Sequence, residues 1–282
     1  MDFSSNKYMS ASKDFLESNS IVAKISFLLL IIVLFVILLK ISINIIFWYM
    51  NPDNSIILLN GMSDASQMFT FTQDPNIDGS LTIQKSINKI NGIEFTWSIW
   101  IFIKDTPPIN THQHIFHKGN YNFETNGLNQ PNNAPGLYIT PDLNNTKSKS
   151  LTLIMNTYDV INEKIVINDI TLNKWINVII RVENKTLDVY INGIITNSHN
   201  LKFVPKQNYG DVYLCANGGF SGSVSNLIYY SHGLGISEIQ SIASNGPNTR
   251  AASSSLTGQI KSDYYSSRWY YYSPYIKDQY NP

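Results

Sequence analysis

Three histidines within six residues, His112, His114 and His117 of HQHIFH, invite a metal reading. Neutral imidazole binds zinc through either ring nitrogen. In a regular strand His112 and His114 share one face and His117 takes the other, so at most two converge locally. No acidic cluster adjoins them, which favours a plainer expectation, a solvent-facing start to a strand. Carboxylates are no more concentrated. Glu94, Glu124, Glu163, Glu183 and Glu238 stand singly, and the last two fit a hairpin edge and a helix start. A serine nucleophile on a strand-to-helix elbow would need G-x-S-x-G, and no such stretch occurs.

Composition narrows the classes further. The 282 residues are 43% hydrophobic and 14% charged, enough for a sizeable core in one or two domains. Lys+Arg equals Asp+Glu at 20 each, so the chain lacks the basic excess that holds phosphate backbones, and nucleic acid is not an expected partner. Cys215 is the single cysteine, so neither an intrachain disulfide nor a multi-thiolate metal site can form.

The elements that must position any site divide at about residue 50. IVAKISFLLLIIVLFVILLKISINIIFWYM, residues 21–50, carries no charge from Ile25 to Leu39 and exceeds the roughly 20 residues that span a hydrocarbon core. It reads as one transmembrane helix over 21–49, with Lys24 and Lys40 able to snorkel, Trp48 and Tyr49 at an interface, and Asn51-Pro52 as its stop. A cleaved signal peptide is the alternative, disfavoured by the length of the apolar run and the lack of a small-x-small site. Lys7, Lys13 and Lys24 precede the core and no basic residue follows Lys40 until Lys85. The positive-inside rule therefore places residues 1–20 in the cytosol and the C-terminal part on the exoplasmic side. Glycosylation triplets at Asn144 and Asn184 fit that side, although an Asn-rich chain also produces them by chance.

Beyond residue 54 the pattern becomes alternation. In IEFTWSIWIFIKD, Phe95, Trp97, Ile99, Ile101 and Ile103 fall on one face and Thr96, Ser98, Trp100, Phe102 and Lys104 on the other. Similar runs occur at HIFHKG, GLYIT, SLTLIMNTY, EKIVIND, KWINVIIRVE, TLDVYING, GDVYLCA and GSVSNLIYY, separated by Gly, Pro, Asn and Asp. Many short strands at near-regular spacing indicate an all-β, antiparallel β-sandwich over residues 55–247. Asn192-Gly193 signals a type I′ turn inside three consecutive antiparallel strands. GISEIQSIASNG predicts a helix capped by Ser237 with Gln240, with Ile236 before the cap and Gly246-Pro247 closing it. Residues 248–282 read as a flexible linker, NTRAASSSLTGQ, and a tyrosine-rich tail that either docks on a partner or folds back over the sandwich.

FTWSIWIFIKD, IFHKGN, GLYIT, LTLIMNT, KWINVIIRVENKTLDVYINGII and FSGSVSNLIYYSHGLGISEIQSI resemble, in order, strands of the concanavalin A-like lectin/glucanase superfamily. The similarity is strongest to its laminin-G-like, pentraxin-like members. Trp175, Tyr190 to Gly193, Gly222 to Tyr229 and Ser237 to Ile239 carry it, over roughly residues 66 to 245. The resemblance implies a jelly-roll sandwich, and these structural motifs say little about ligand. Catalytic members carry Glu-x-Asp-x-(x)-Glu, which sets two carboxylates on one face for retaining chemistry; it does not occur here, so an enzyme is not expected. The resemblance also raises calcium, held at one rim by loop oxygens, for which Asp105, Asn120, Asp142 and Asn144 have suitable chemistry. A glycan would use loop aromatics with amide and carboxylate partners, pointing to Asp105, Asn120, Tyr121, Asn122, Phe123, Tyr158 and Asp159. Two functions follow: a membrane-anchored, non-catalytic lectin-like module that binds glycan or protein through rim loops, or a structural protein of a virion membrane or capsid whose sandwich and tail pack on neighbouring shell proteins. The Ile/Asn/Lys/Ser-rich vocabulary is similar to that of large DNA viruses.

Overall fold

The computed structural model describes residues 21–50, 55–89, 92–104, 110–131, 133–141 and 148–252. The chain divides into two compact units, one ending at Asp53 and the other starting at Asn54. Within the first unit, helix α1 (Ile21–Met50) is apolar around its whole circumference, as the uninterrupted run requires. Its stretch Lys24–Ile46 is long and apolar enough to cross a membrane, and at about 1.5 Å per residue it exceeds a hydrocarbon core.

The second unit is a two-sheet antiparallel sandwich. Its strands are β1 (Ser55–Asp64), β2 (Phe69–Phe71), β3 (Ile87–Lys89), β4 (Gly92–Ile103), β5 (Gln113–Lys118), β6 (Gly136–Ile139) and β7 (Ser148–Met155). They continue with β8 (Glu163–Thr171), β9 (Trp175–Glu183), β10 (Thr186–Ile191), β11 (Ile194–Asn200), β12 (Val212–Leu214) and β13 (Gly222–Tyr230). One sheet runs β1-β13-β4-β9-β10-β11, with β3 added beside β4, and the other runs β2-β12-β5-β6-β7-β8.

Alternation decides what each sheet buries. Phe95, Trp97, Ile99, Ile101 and Ile103 of β4 join Ile176, Val178, Ile180 and Val182 of β9 and Leu187 and Val189 of β10 in the main core. The opposite sheet supplies Ile115, Phe116, Leu137, Ile139, Leu151 and Leu153. The other face of the first sheet is partly covered as well: Ile179 and Tyr190 pack with Leu234 and Ile239, the latter from helix α2 (Ile236–Asn245). At about 25 cal/mol per Å² of apolar surface removed from water, this double burial holds the central strands.

The turns obey their residues. Asn192 and Gly193 both have positive φ, +51° and +81°, as a type I′ turn demands, and the flanking Ile191 and Ile194 pair directly. The expected helix cap is corrected. Gly235, not Ser237, is the N-cap, and the Glu238 carboxylate accepts the Gly235 N–H at 2.7 Å. Gln240 instead donates to the Gly193 carbonyl at 2.7 Å and ties the helix to the β10–β11 hairpin. The linker expectation also shifts at its start. The Met62 N–H donates to the Arg250 carbonyl and the Ala252 N–H to that of Met62, so residues 250–252 lie along β1 as a short parallel bridge. Satisfying edge N–H and C=O groups is what draws such a segment in.

Candidate ligand cleft

A cavity of about 480 Å³ opens on the core side of β4. Its floor is aromatic because alternation turns Phe95 and Trp97 inward, where Tyr229 of β13 meets them with ring centroids 6.5 Å and 5.0 Å away. Its walls come from the segment between β2 and β3, from Lys118 at the end of β5, from Ala134, and from residues 206–211 before β12.

Side-chain amides hold these irregular walls in place. Buried Gln73 donates to the carbonyls of Phe71 (3.1 Å) and Leu81 (2.8 Å), while its Oε1 accepts the Ile83 N–H at 2.8 Å. Its backbone N–H donates to Asp211 Oδ1 at 2.8 Å, which joins the two wall segments. A second tie runs from Gln207 Nε2 to Ser86 Oγ at 2.8 Å. Gly210 permits a close approach: a Cβ there would lie 2.7 Å from the Gly119 backbone. The rim therefore offers amides, hydroxyls, two aspartates (Asp74 and Asp211) and three lysines (Lys85, Lys118 and Lys206), with Tyr209 80% exposed among the lining residues.

Lys118 reaches this cleft through an irregularity in β5. His114 pairs with Tyr138 and Phe116 with Leu137, so Ile115 is an extra residue, a β-bulge. The bulge sends both Ile115 and Phe116 into the core, puts Lys118 on the cleft side, and leaves His114 and His117 together on the opposite side. The Ile115 carbonyl accepts the Cys215 N–H at 2.7 Å, which anchors the bulge to the strand beyond. Lys118 is 8% exposed, and its Nζ donates to the Gly210 carbonyl at 2.7 Å. Burial lowers its pKa to about 8, against the opposing pull of Asp211.

The histidines depart from the expectation of a solvent-facing strand start. His114 and His117 are 1% and 0% exposed, and their Nε2 and Nδ1 atoms lie 2.7 Å apart. The Ala216 N–H donates to His114 Nδ1 at 2.9 Å, so the His114 proton resides on Nε2 and is donated to His117 Nδ1. His117 Nε2–H then donates to the Asn120 carbonyl at 3.1 Å. All four ring nitrogens are occupied, leaving no lone pair for a metal. Among the described residues no group of three His, Cys, Asp or Glu could hold a metal ion. Desolvation depresses both imidazoles, that of His117 to about 4. His112 stands apart, with Nδ1 3.2 Å from the Asn126 carbonyl.

The rim residues expected to bind ligand fall into two separate places. Asn120, Tyr121 and Asn122 follow β5. Tyr121, 52% exposed, stacks edge-on against Phe123 (5.2 Å) and Tyr213 (5.3 Å), over the buried histidine pair. Asn122 is engaged inside its loop, its N–H donating to Asn129 Oδ1 and its Nδ2 to the Gln130 carbonyl. Tyr158 and Asp159 are exposed in the β7–β8 turn, where the Lys206 ammonium lies 5.9 Å from the Tyr158 ring and links this turn to the cleft lining. Asp105, Asp142 and Asn144 lie outside the described residues, so of the calcium quartet only Asn120 is placed. Gln73, Lys118, Asp211 and the aromatic floor were not singled out from sequence. Phe95 and Trp97 read as core, which they also are, and nothing local distinguishes a cleft floor from a core stripe.

No family model matches the chain, and no curated protein does. Solved structures similar to it include the botulinum neurotoxin serotype D ligand-binding domain in complex with N-acetylneuraminic acid, at 14% identity over 67% of this chain and 44% of that one, TM-score 0.45. The receptor-binding domain of mosaic serotype C/D, with tetraethylene glycol on its Hcn sub-domain, is similar at 13% identity over 69% of this chain and 52% of that one, TM-score 0.45. The serotype G binding domain is similar at 11% identity over 69% and 51%, TM-score 0.43. This chain thus spans about half of those domains. Likeness at this level bears on neither ligand nor activity, and the sandwich architecture rests on the strand pairing described above.

Proposed function

We propose that the chain is a membrane-anchored, non-catalytic lectin-like module of the concanavalin A-like, laminin-G-like kind, which takes a carbohydrate into the cleft beside β4. The observation that carries this reading is the composition of the cleft: an aromatic floor of Phe95, Trp97 and Tyr229 under a rim of amides, hydroxyls and carboxylates. Sugar rings present apolar C–H faces bordered by hydroxyls, and a pocket of this size with a few convergent polar groups suits them. Helix α1 supplies the anchor by its length and composition, with the sandwich on the exoplasmic side.

The test is a glycan array probed with the full chain in detergent micelles. Reproducible binding, lost by at least tenfold in Thr82→Trp, which fills the cleft from its wall, supports the reading. Unchanged binding in that variant together with loss in Tyr121→Ala would move the site to the aromatic patch over the histidines. Absence of any glycan binding would overturn the reading and leave the sandwich as a packing element for neighbouring shell proteins. Protease protection of intact membranes tests the orientation, and degradation of the sandwich from the cytosolic side would reverse it.

A further inference from the structure

Lys118 is the most confined charge in the cleft. Its side chain is buried to 8% exposure, and its ammonium carries three N–H donors, of which one goes to the Gly210 carbonyl. The charged and phenolic groups that line the cleft with it are Asp211 and Asp74, Lys85 and Lys206, and Tyr209 and Tyr229, and of these Asp211 acts on it directly. Both aspartates already accept hydrogen bonds, Asp211 Oδ1 from the Gln73 N–H and Asp74 Oδ1 from the N–H and Nδ2 of Asn76. Tyr229, pushed up by burial, adds no negative charge near neutrality. His117, the preceding residue, lies on the opposite side of β5 and is neutral.

A neutral ligand that closes this cleft strips the ammonium of its remaining water and returns no counter-charge, which is costly for a buried cation. An anionic group on the ligand returns that charge. Resting on the glycan reading above, we infer that Lys118 makes the cleft selective for glycans bearing a carboxylate or sulfate, which its ammonium binds at the cleft wall. The lowered pKa of Lys118 agrees with the geometry: in the free cleft, burial outweighs Asp211, so the site holds less negative charge than the ammonium requires. A bound anion reverses that balance and binds the protonated form.

The experiment uses the full chain in detergent micelles on an array of neutral, uronate-bearing and sulfated oligosaccharides, read at pH 7 and pH 9. The expected ligands are acidic, and the uronate and sulfate arms tell which anion is preferred. Their affinity falls about tenfold from pH 7 to pH 9, as the protonated fraction of a group titrating near 8 drops from about nine-tenths to about one-tenth. Lys118→Met abolishes the preference for acidic over neutral glycans; should that variant not fold, Lys118→Gln, which keeps a donor toward the Gly210 carbonyl without the charge, takes its place. Equal binding of neutral and acidic glycans overturns the role of Lys118 while leaving glycan binding intact. Failure to bind any glycan overturns the glycan reading and this inference with it.

Discussion

Acid should unfold the sandwich through the histidine pair. In the folded chain His117 titrates near 4, whereas in the unfolded chain it returns to about 6.5. A difference of about 2.5 units at 1.36 kcal/mol each is about 3 kcal/mol, a large share of the 5–15 kcal/mol typical of a domain. The sign follows from proton counting. Between pH 6.5 and 4 the unfolded chain binds a proton that the folded chain refuses, so stability rises with pH across that window and levels off above it. His114 and His112 are displaced in the same direction and add to the slope. Asp64, held below its ordinary value by hydrogen bonds from Ser66, contributes only at lower pH, where carboxylates protonate. Urea unfolding followed by tryptophan fluorescence at pH 7.5, 6.5, 5.5 and 4.5 measures the effect. The free energy of unfolding should fall by about 3 kcal/mol or more across the series. A double variant, His114→Leu with His117→Leu, should lose most of that slope and keep the part due to His112. A native chain equally stable at pH 7.5 and 4.5 would refute the assignment of both imidazoles as neutral donors in one chain of hydrogen bonds.

Other expectations concern the walls that shape the cleft. Gly210→Ala places a methyl against the Gly119 backbone, so the chain should lose about 1–3 kcal/mol in urea unfolding and its glycan affinity should fall with the displaced Lys118 partner. Gln73→Ala leaves the Ile83 N–H and two carbonyls without their side-chain partner, so hydrogen exchange at Ile83 should accelerate and stability drop by about 2 kcal/mol. Glu238→Ala removes the acceptor of the Gly235 N–H and should cost about 0.5–1 kcal/mol, seen as earlier fraying of α2 in hydrogen exchange.

The scaffold was far more legible than the site, for a physical reason. Strands such as β4 and β9 are specified by a local pattern, because period-two alternation must match the pleat wherever one face is buried. The same holds for Asn192-Gly193, where two neighbouring residues suffice to dictate the turn. β1 is not announced by alternation, because the pattern is interrupted: Gly61, at φ +103°, lies where the register shifts, and a Cβ there would strike the Arg250 carbonyl. The cleft is harder still to read. It joins residues 73–86, Phe95, Trp97, Lys118, residues 206–211 and Tyr229, which meet only after both sheets have formed. The histidines depart from the sequence pattern for a related reason. One unpaired residue in β5 inverts the facing of everything after it, and no residue type near Ile115 announces the insertion.

That inserted residue has a consequence for how such a protein changes over generations. Two chemistries lie back to back on one strand, an imidazole pair on one surface and a lone ammonium on the other, and the bulge takes up one residue of chain length without disturbing the pairing on either side of it. Deleting Ile115 would leave His114, Phe116 and His117 opposite Tyr138, Leu137 and Gly136 in a regular ladder, with His117 and Lys118 on the sides they now face. A lineage could therefore lose this residue and keep both surfaces, giving up only the Ile115 side chain in the core.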